Sequence, residues 1–429
     1  MTKSMVGTAS GLRGTTRYQL LETMRQYARE RLEDAGDADT RRRAHAAYFA
    51  RFVEKVADAY RTGEDLNART AQSRLELDNY RAAMTWSLDS DAAGDVDYAL
   101  RIAVHFAGWE PFTRRAAGLI THGDRLLERA RSSAPELHAG ILAGMANDAL
   151  MLRGDVDTAA NLAEQALDLG PTALGAVAMS HAVLGLCAVA HNDADRAIAI
   201  FEAGENRSDA THGRAFFAVL RSRAEASQGN ARAARASAER AVRLARESEM
   251  AMRIAQALNA LAVAAAYDDL ETAQRAIKDA LVAAREAGTG QGVAISLGYQ
   301  AELLAIQGDV LAARTILSDM VCAWGEDAPI MALLGAAARA SKIFADAGAP
   351  RPAAALAGAV MAGPYSELLL AAVDARTRDQ LRNVVEAVRA QLRKDAFENE
   401  WARGASMSSD EIMAFIRTTL EELNALVPL

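Results

Sequence analysis

A short turn signal recurs along the chain at a nearly constant interval, and it constrains the fold more than any other feature. Its copies are centred on Gly154, Asn192, Gly229, Asp268, Gly308 and Gly348, with spacings of 38, 37, 39, 40 and 40 residues. An earlier copy is predicted at Gly118. Glycine and asparagine tolerate the left-handed backbone conformation in which many helices end. A fixed period of this length predicts a repeat array in which each unit packs against its neighbours.

A small residue stands five positions after each turn centre. These residues are Gly123, Ala159, Ala197, Ala234, Ala273, Ala313 and Ala353. Because only a small side chain lets two helix backbones approach closely, this register predicts a tight crossing within each helix pair. Between the turns lie helix-length segments such as residues 250–266, whose apolar residues recur at helical spacing. The sequence therefore predicts an all-α fold, an α-solenoid of stacked antiparallel helix hairpins over residues 96–362.

The two ends of the chain differ from the array. Residues 1–33 predict a short strand, a glycine-rich turn, a second short strand and a helix over residues 15–33. Residues 34–95 predict a helical adaptor, and residues 363–429 a helical cap. Within the cap we expect one helix over residues 375–399 and a last helix capped by Ser408. Strands in residues 1–14 without a complete partner sheet would fray or pair with another chain.

Several stretches resemble a known family. They are residues 17–28 (RYQLLETMRQYA), residues 30–32, residues 43–49 (RAHAAYF), residues 74–83 (RLELDNYRAA) with Trp86, and Phe397, Trp401, Gly404 and Glu411. They are similar to bacterial STAND-class signalling ATPases of the LuxR type, which are transcriptional regulators. In that family the first stretch closes a winged-helix subdomain and leads into a tetratricopeptide-like (TPR-like) sensor. The resemblance implies that residues 1–33 hold the end of a winged helix and that the array is a sensor.

The chain departs from the family in its catalytic parts. It contains no GxxxxGK[ST] motif and no Gly-Lys dipeptide, so the phosphate-binding loop of the family's ATPase domain is not recognisable. The helix-turn-helix of the LuxR type is not recognisable either. We therefore expect the sensor half alone, with no enzymatic activity and no cofactor.

The charge balance and the cysteine content limit which classes of partner and which cellular compartment we expect. The chain has 48 basic and 56 acidic residues, which argues against nucleic-acid binding by the whole surface. The densest basic run, residues 41–43, fits a solvated helix face. Two cysteines without a CxxC pair and an N-terminus without an apolar core predict a cytoplasmic protein. Residues 169–192 lack Lys, Arg, Asp and Glu, but their Pro171, Gly175 and His181 fit the repeat better than a membrane span.

Candidate chemical sites are weak. The seven histidines form no HExxH or HxH pair, so scattered structural histidines are favoured over a metal site. The segment 288–292 (GTGQG) follows a helix instead of a strand, which favours a turn over a dinucleotide loop. Cys187 fits a small core residue better than a nucleophile.

In a tetratricopeptide array the first helix of each pair lines a concave groove. With the turns as register points, the predicted groove residues are Met179, Leu186, Phe216, Arg223, Ile295 and Glu302. Such a groove would bind a protein partner, with a peptide or a small molecule as further possibilities. The alternative is that several of these residues only pack between repeats, because an alanine-rich array coils tightly.

The sequence thus supports a regulatory interaction module that signals to an ATPase or DNA-binding chain by a change in curvature. A stand-alone scaffold, or a degenerate fragment without a sensing role, is the alternative. An enzyme would need convergent acid and base residues, and the sequence nominates none.

Overall fold

The computed structural model describes residues 6–10, 16–62, 66–92, 94–106, 121–170, 174–266, 268–288, 290–324, 330–363 and 365–425. The chain divides into two compact units, residues 1–141 and residues 142–429, which are described separately. Gly118, where an early turn is predicted, lies outside the described residues. So do residues 1–5 and 11–14 of the predicted hairpin.

The first unit begins with two antiparallel strands and continues as helices. The strands are β1 (Val6–Ser10) and β2 (Thr16–Leu20), with Val6 opposite Leu20 and Thr8 opposite Tyr18. The helices are α1 (Glu22–Asp34), α2 (Ala38–Thr62), α3 (Leu66–Arg74), α4 (Leu77–Asp89), α5 (Asp95–His105) and α6 (Gly123–Ala130). The helix predicted over residues 15–33 is wrong at its start, since α1 begins at Glu22. Thr16 and Tyr18 are favourable strand residues, and β1 supplies the hydrogen-bonding partner that keeps them extended.

Aromatic rings from the stretches that resemble the regulator family fill the core of the first unit. Tyr80 of α4 is fully buried, and its hydroxyl lies 2.9 Å from Ser73 Oγ. Its ring meets Phe49 edge-on at 5.5 Å and Phe106 at 5.1 Å between centroids. Such edge-to-face pairs add to the free energy of area burial. Phe49 and Tyr80 lie in the stretches that resemble the family, and together with Phe106 they hold α2, α4 and α5 together.

A two-pronged ion pair joins α2 to the start of α5. Arg43 Nε and Nη2 donate to the two carboxylate oxygens of Asp95 at 2.8 and 2.9 Å, and Ser90 Oγ donates to Asp95 at 2.7 Å. The Asp95 side chain is only 4% exposed, whereas that of Arg43 is 43% exposed. The hydrogen bond from Arg43 holds the pKa of Asp95 below its ordinary value, against the opposing effect of burial. Asp95 is therefore charged and stabilised at neutral pH.

The second unit is a serial stack of antiparallel helix pairs, as predicted. The pairs are α7 (Pro135–Arg153) with α8 (Val156–Asp168), α9 (Leu174–Ala190) with α10 (Ala194–Asn206), α11 (Thr211–Ser227) with α12 (Ala231–Glu247), α13 (Ala251–Ala265) with α14 (Leu270–Glu286), α15 (Gly290–Ile306) with α16 (Val310–Trp324), and α17 (Ile330–Asp346) with α18 (Pro350–Ala362). The boundary between the units falls within α7. From α8 to α18 each helix packs on the next in chain order, which is the arrangement of an α-solenoid.

Four of the six pairs turn on a left-handed residue followed by a side-chain helix cap. Asp268, the predicted centre of the α13–α14 turn, does not have positive φ, and Ala349 before α18 makes no side-chain cap. Gly154, Asn192, Gly229, Gly308 and Gly348 all have positive φ, between 57° and 79°. The next residue caps the following helix in five turns, with its side-chain oxygen 3.0–3.2 Å from a backbone N–H three positions on. These caps are Asp155, Asp193, Asn230, Asp269 and Asp309. The recurring Gly-Asp signal thus ends one helix and starts the next.

The small residues after the turns lie where the helices cross. Ala159, Ala197, Ala234, Ala273, Ala313 and Ala353 each have 0% exposure. Gly123, the earliest of the predicted set, is half-buried. Glycines complete the contact elsewhere: a Cβ on Gly204 would lie 2.4 Å from the Phe217 ring, and one on Gly185 would lie 2.2 Å from Phe201. Small residues therefore set how closely these helices approach.

The C-terminal region adds four helices: α19 (Ser366–Ala372), α20 (Ala375–Gln391), α21 (Lys394–Ala405) and α22 (Ser409–Ala425). The single helix predicted over residues 375–399 is wrong, because Leu392 and Arg393 are extended, each with ψ 148°. The break lets α21 pack along α18, where a Cβ on Gly404 would collide with the Ala355 carbonyl at 1.7 Å. The predicted cap is confirmed, with Ser408 Oγ accepting from the Glu411 backbone N–H and the Glu411 carboxylate accepting from the Ser408 backbone N–H.

Among the described residues, no helix combines the length and apolar character that a membrane crossing requires.

The caps make a direct prediction. Asp193→Ala removes the side-chain acceptor that satisfies the Arg196 backbone N–H, and we expect it to lower the free energy of unfolding by about 1 kcal/mol. Asp193→Asn keeps an acceptor and should lie close to wild type in urea unfolding. Equal losses for both substitutions would contradict a capping role.

The Arg43–Asp95 pair predicts a pH dependence. Because the pKa of Asp95 is lower in the folded chain than in the unfolded chain, the stabilisation is complete above about pH 4 and is lost as the pH falls through the folded pKa. We expect the urea midpoints of wild type and Asp95→Asn to differ most near about pH 7 and to converge on acidification. Asp78→Asn, at a carboxylate 93% exposed, should show little difference at either pH. A gap for Asp95→Asn that is constant with pH would contradict this linkage.

Candidate interaction surface

The first helices of successive pairs form one continuous face. The helices α9, α11, α13, α15 and α17 pack on one another in order, in addition to packing on their own partners. We call this the inner face, because a side chain of α11 reaches past α13 to α15. Arg223 Nη2 donates to the hydroxyl of Tyr299 at 3.0 Å, and these two residues lie two pairs apart. The array therefore curves tightly toward this face.

A cluster of charged residues and one tyrosine on the inner face joins α11, α15, α17 and α20. It consists of Arg223, Tyr299, Glu302, Arg339 and Arg376 and is called the Glu302 cluster. Arg339 Nε donates to Glu302 Oε2 at 2.9 Å, and Arg376 Nη2 donates to Glu302 Oε1 at 3.3 Å. The side chains of Glu302, Arg339 and Arg376 are 11%, 17% and 18% exposed. The Glu302 carboxylate thus forms ion pairs with two largely buried guanidinium groups from different helices.

The positive charges of the cluster also surround Tyr299. The Arg339 guanidinium carbon lies 4.4 Å from the centre of the Tyr299 ring, a cation–π contact. Burial raises the pKa of Tyr299, but the charges of Arg223 and Arg339 outweigh it, so the pKa lies below its ordinary value. Burial lowers the pKa of Arg339, and Glu302 more than compensates. The cluster therefore favours negative charge and hydrogen-bond acceptors over further cations.

A cleft opens beside the cluster between α15, α17 and α20. Its lining includes Glu302, Arg339, Lys342, Thr377 and Gln380. The enclosed volume of about 20 Å³ is room for roughly one water molecule. A drug-sized ligand needs a cavity of roughly 300–1,000 Å³. This cleft is therefore too small for such a ligand in the described conformation.

The C-terminal region reaches across the inner face through residues 365–378, which we call the strap. Tyr365 donates to the Leu152 carbonyl at 3.2 Å, and Arg376 Nη1 donates to the Ala266 carbonyl at 3.1 Å. Arg378 donates to the Ser227 carbonyl. The short helix α19 within the strap lies against both α9 and α17. The inner face is thus covered in part by the chain itself.

The predicted groove residues have different surroundings. Met179 and Leu186 are half-buried against an apolar cluster that includes residues of the preceding pair, and Leu186 also packs on a cluster that reaches α11, so both pack between pairs. Phe216 is also half-buried, and the Arg253 guanidinium lies 4.4 Å from its ring centre. Ile295 is half-buried. Of the predicted residues, the structure joins Arg223 and Glu302 through Tyr299 and Arg339, as members of one cluster.

Two kinds of residue were missed by the sequence analysis. The predicted residues Arg223 and Glu302 lie six positions before the centres of their turns. Tyr299 and Arg339 lie nine positions before theirs, which is one helical turn earlier on the same side of the helix. Extending the register by one helical turn would have found them. The strap residues Tyr365, Arg376 and Arg378 follow the last repeat, so no periodicity marks them.

We next consider Cys187 as a candidate nucleophile and the His, Cys, Asp and Glu side chains as candidate metal ligands. Burial raises the pKa of the Cys187 thiol to about 12, and the thiol donates to the Val156 carbonyl at 3.5 Å. A thiol that stays protonated at neutral pH is a poor nucleophile. Within the described part of the chain, no three His, Cys, Asp or Glu side chains are grouped closely enough to hold a metal ion.

The Glu302 cluster predicts a large mutational effect. Glu302→Ala removes the carboxylate between Arg339 and Arg376, and we expect the free energy of unfolding to fall by about 2–3 kcal/mol. Glu271→Ala breaks an exposed pair with Arg275 and should change it by less than about 0.5 kcal/mol. Urea unfolding of the two variants provides the comparison, and equal effects would contradict a central role for Glu302.

Comparison with known proteins gives a partial relationship. No model of a known protein family matches the chain. A stretch of 101 residues, 24% of the chain, is 38% identical to proteins of Mycobacterium bovis and Mycobacterium tuberculosis that are named provisionally as HTH-type transcriptional regulators. The match spans 11% of the length of these curated relatives. The similarity supports a regulator context for this chain.

Proposed function

We propose that the chain is the non-catalytic sensor and protein-interaction module of a bacterial transcriptional regulator, acting in the cytoplasm. The observation that carries the proposal is the continuous inner face, on which charged and aromatic side chains from several helix pairs converge. The similarity to HTH-type regulators supplies the context of transcription. The array would be of the TPR-like kind found in the sensors of LuxR-type STAND regulators.

The favoured ligand is a protein partner. The cleft beside Glu302 is too small for a drug-sized molecule, whereas the inner face presents polar groups over several helix pairs. Rigid repeat arrays use such extended faces to bind polypeptide segments. The partner we propose is a regulator chain that carries an ATPase or DNA-binding domain.

The mechanism is a shift between array curvatures. The Arg223–Tyr299 bond spans two pairs, so its formation depends on how tightly the array curves. A partner that binds more strongly to one curvature raises the population of that state by its difference in affinity. The altered spacing of the helix pairs would then be transmitted to the ATPase or DNA-binding chain.

A stand-alone scaffold is the second candidate, and the strap is the observation that favours it. The strap ties α7, α11, α13 and α15 together, as a rigid support would require. In that case, deleting the gene would leave transcription unchanged and no partner would bind the inner face.

Co-purification with regulator chains encoded beside the gene tests the proposal. We expect a stable complex that Arg223→Glu on the inner face weakens at least about tenfold, since reversing one charge in an interface costs more than 1.4 kcal/mol. Arg232→Glu, an exposed residue on the second helix α12, is the matched control and should bind like wild type.

Two results would overturn the proposal. One is the absence of a complex with any such chain, together with no ligand in thermal-shift screening. The other is ATP turnover by the purified chain above that of a mock preparation, because the proposed module is not an enzyme.

A further inference from the structure

The hydrogen bonds from strap side chains to backbone carbonyls of the array end at the C-terminal ends of first helices. Leu152 lies in the last turn of α7, Ser227 is the last residue of α11, and Ala266 follows the end of α13. The last carbonyls of a helix have no partner within the helix and carry its partial negative charge. The strap therefore satisfies acceptors that the first helices leave open.

The donors on the strap are concentrated at one helix start. Asp374 caps α20 by accepting from the Thr377 backbone N–H at 3.1 Å, which fixes the first turn. Arg376 and Arg378, on either side of Thr377, project from this turn. Arg376 reaches the Ala266 carbonyl and Glu302, whereas Arg378 reaches the Ser227 carbonyl and the end of α19. Two arginines in one turn thus make the contacts that span three helix pairs.

The strap is anchored at both ends by other contacts. After it, Leu381, Val384 and Val388 of α20 are buried at helical spacing, and α20 lies against α17 and α18. Before it, α18 is the second helix of the last pair. Displacing the segment between these anchors would remove Leu369 from the apolar core, but it would leave the contacts of α20 with α17 and α18 in place.

We propose that the inner face is a receptor for a helix start that carries two arginines in its first turn, and that a partner helix of this chemistry replaces the strap. The inference rests on the proposed function, because it specifies the partner contact of that module. The acceptors are backbone carbonyls and one carboxylate, so they recognise the arginine pair and its spacing more than the remaining sequence. In the isolated chain, the strap occupies the receptor.

A peptide exchange experiment tests the receptor. The probe is a fluorescent peptide of residues 363–380 (GPYSELLLAAVDARTRDQ), and its binding to the full chain is followed by anisotropy. In wild type, the tethered strap competes at an effective concentration on the order of millimolar, so the peptide should bind weakly. Arg376→Ala/Arg378→Ala in the protein weakens the strap, and we expect it to bind the peptide at least about tenfold more tightly than wild type does.

Two controls show whether the arginines matter. A peptide with alanine at both arginine positions should lose binding to the double variant. The protein variant Arg382→Ala, changed at an exposed arginine farther along α20, should bind the peptide like wild type. Equal binding by the double variant and wild type, or by the two peptides, would overturn the proposal.

A second measurement on the unaltered chain keeps the test decisive if the double variant folds poorly. Excess peptide should speed amide hydrogen exchange in α19 of wild type, while exchange in the buried part of α20 around Val384 stays slow. Unchanged exchange in α19 would count against displacement. Peptide exchange without co-purification of a regulator chain would leave the receptor in place and remove the regulator role. Co-purification without peptide exchange would support the regulator role and overturn the receptor proposal.

Discussion

The array depends on the close crossing of two helices at an alanine with no exposed surface. The six alanines five positions after the turns recur in this role, and no larger side chain fits such a crossing without moving the helices apart. Between pairs, a glycine can leave room for an aromatic ring, as Gly204 of α10 does for Phe217 of α11. The spacing within pairs then determines how the first helices meet, and hence the geometry of the inner face.

Much of this architecture is predictable from the sequence because the turn signal has a direct physical cause. A left-handed residue ends one helix and an acidic or amide side chain starts the next, so the pattern stays visible despite alanine-rich surroundings. The same register predicted Arg223 and Glu302, which belong to one cluster. The second strand was predicted, but residues 15–21 were also assigned to a helix, and only the pairing with β1 shows that residues 16–20 are extended. The break at Leu392 was not predicted. The strap lacked any periodic signal.

The strap changes the energetics expected of a repeat protein. In a simple solenoid each unit interacts only with its neighbours, so curvature is a sum of local preferences. Here Tyr365, Arg376 and Arg378 contact helices of three different pairs, and each contact joins residues 110 to 213 positions apart in the chain. A change at any one of these contacts therefore affects several pairs together. If a partner binds as proposed, this coupling would carry its effect across several helix pairs.

The bond between Tyr365 and Leu152 also bears on how the molecule is made. A solenoid with only neighbour contacts can acquire its final form progressively while the ribosome is still extending it. In this chain the Leu152 carbonyl accepts a hydrogen bond from Tyr365, which is synthesised 213 residues later. Closing so large a loop carries an entropic cost and slows the last step of assembly. The contact between the strap and α7 can therefore form only after residue 365 has been synthesised.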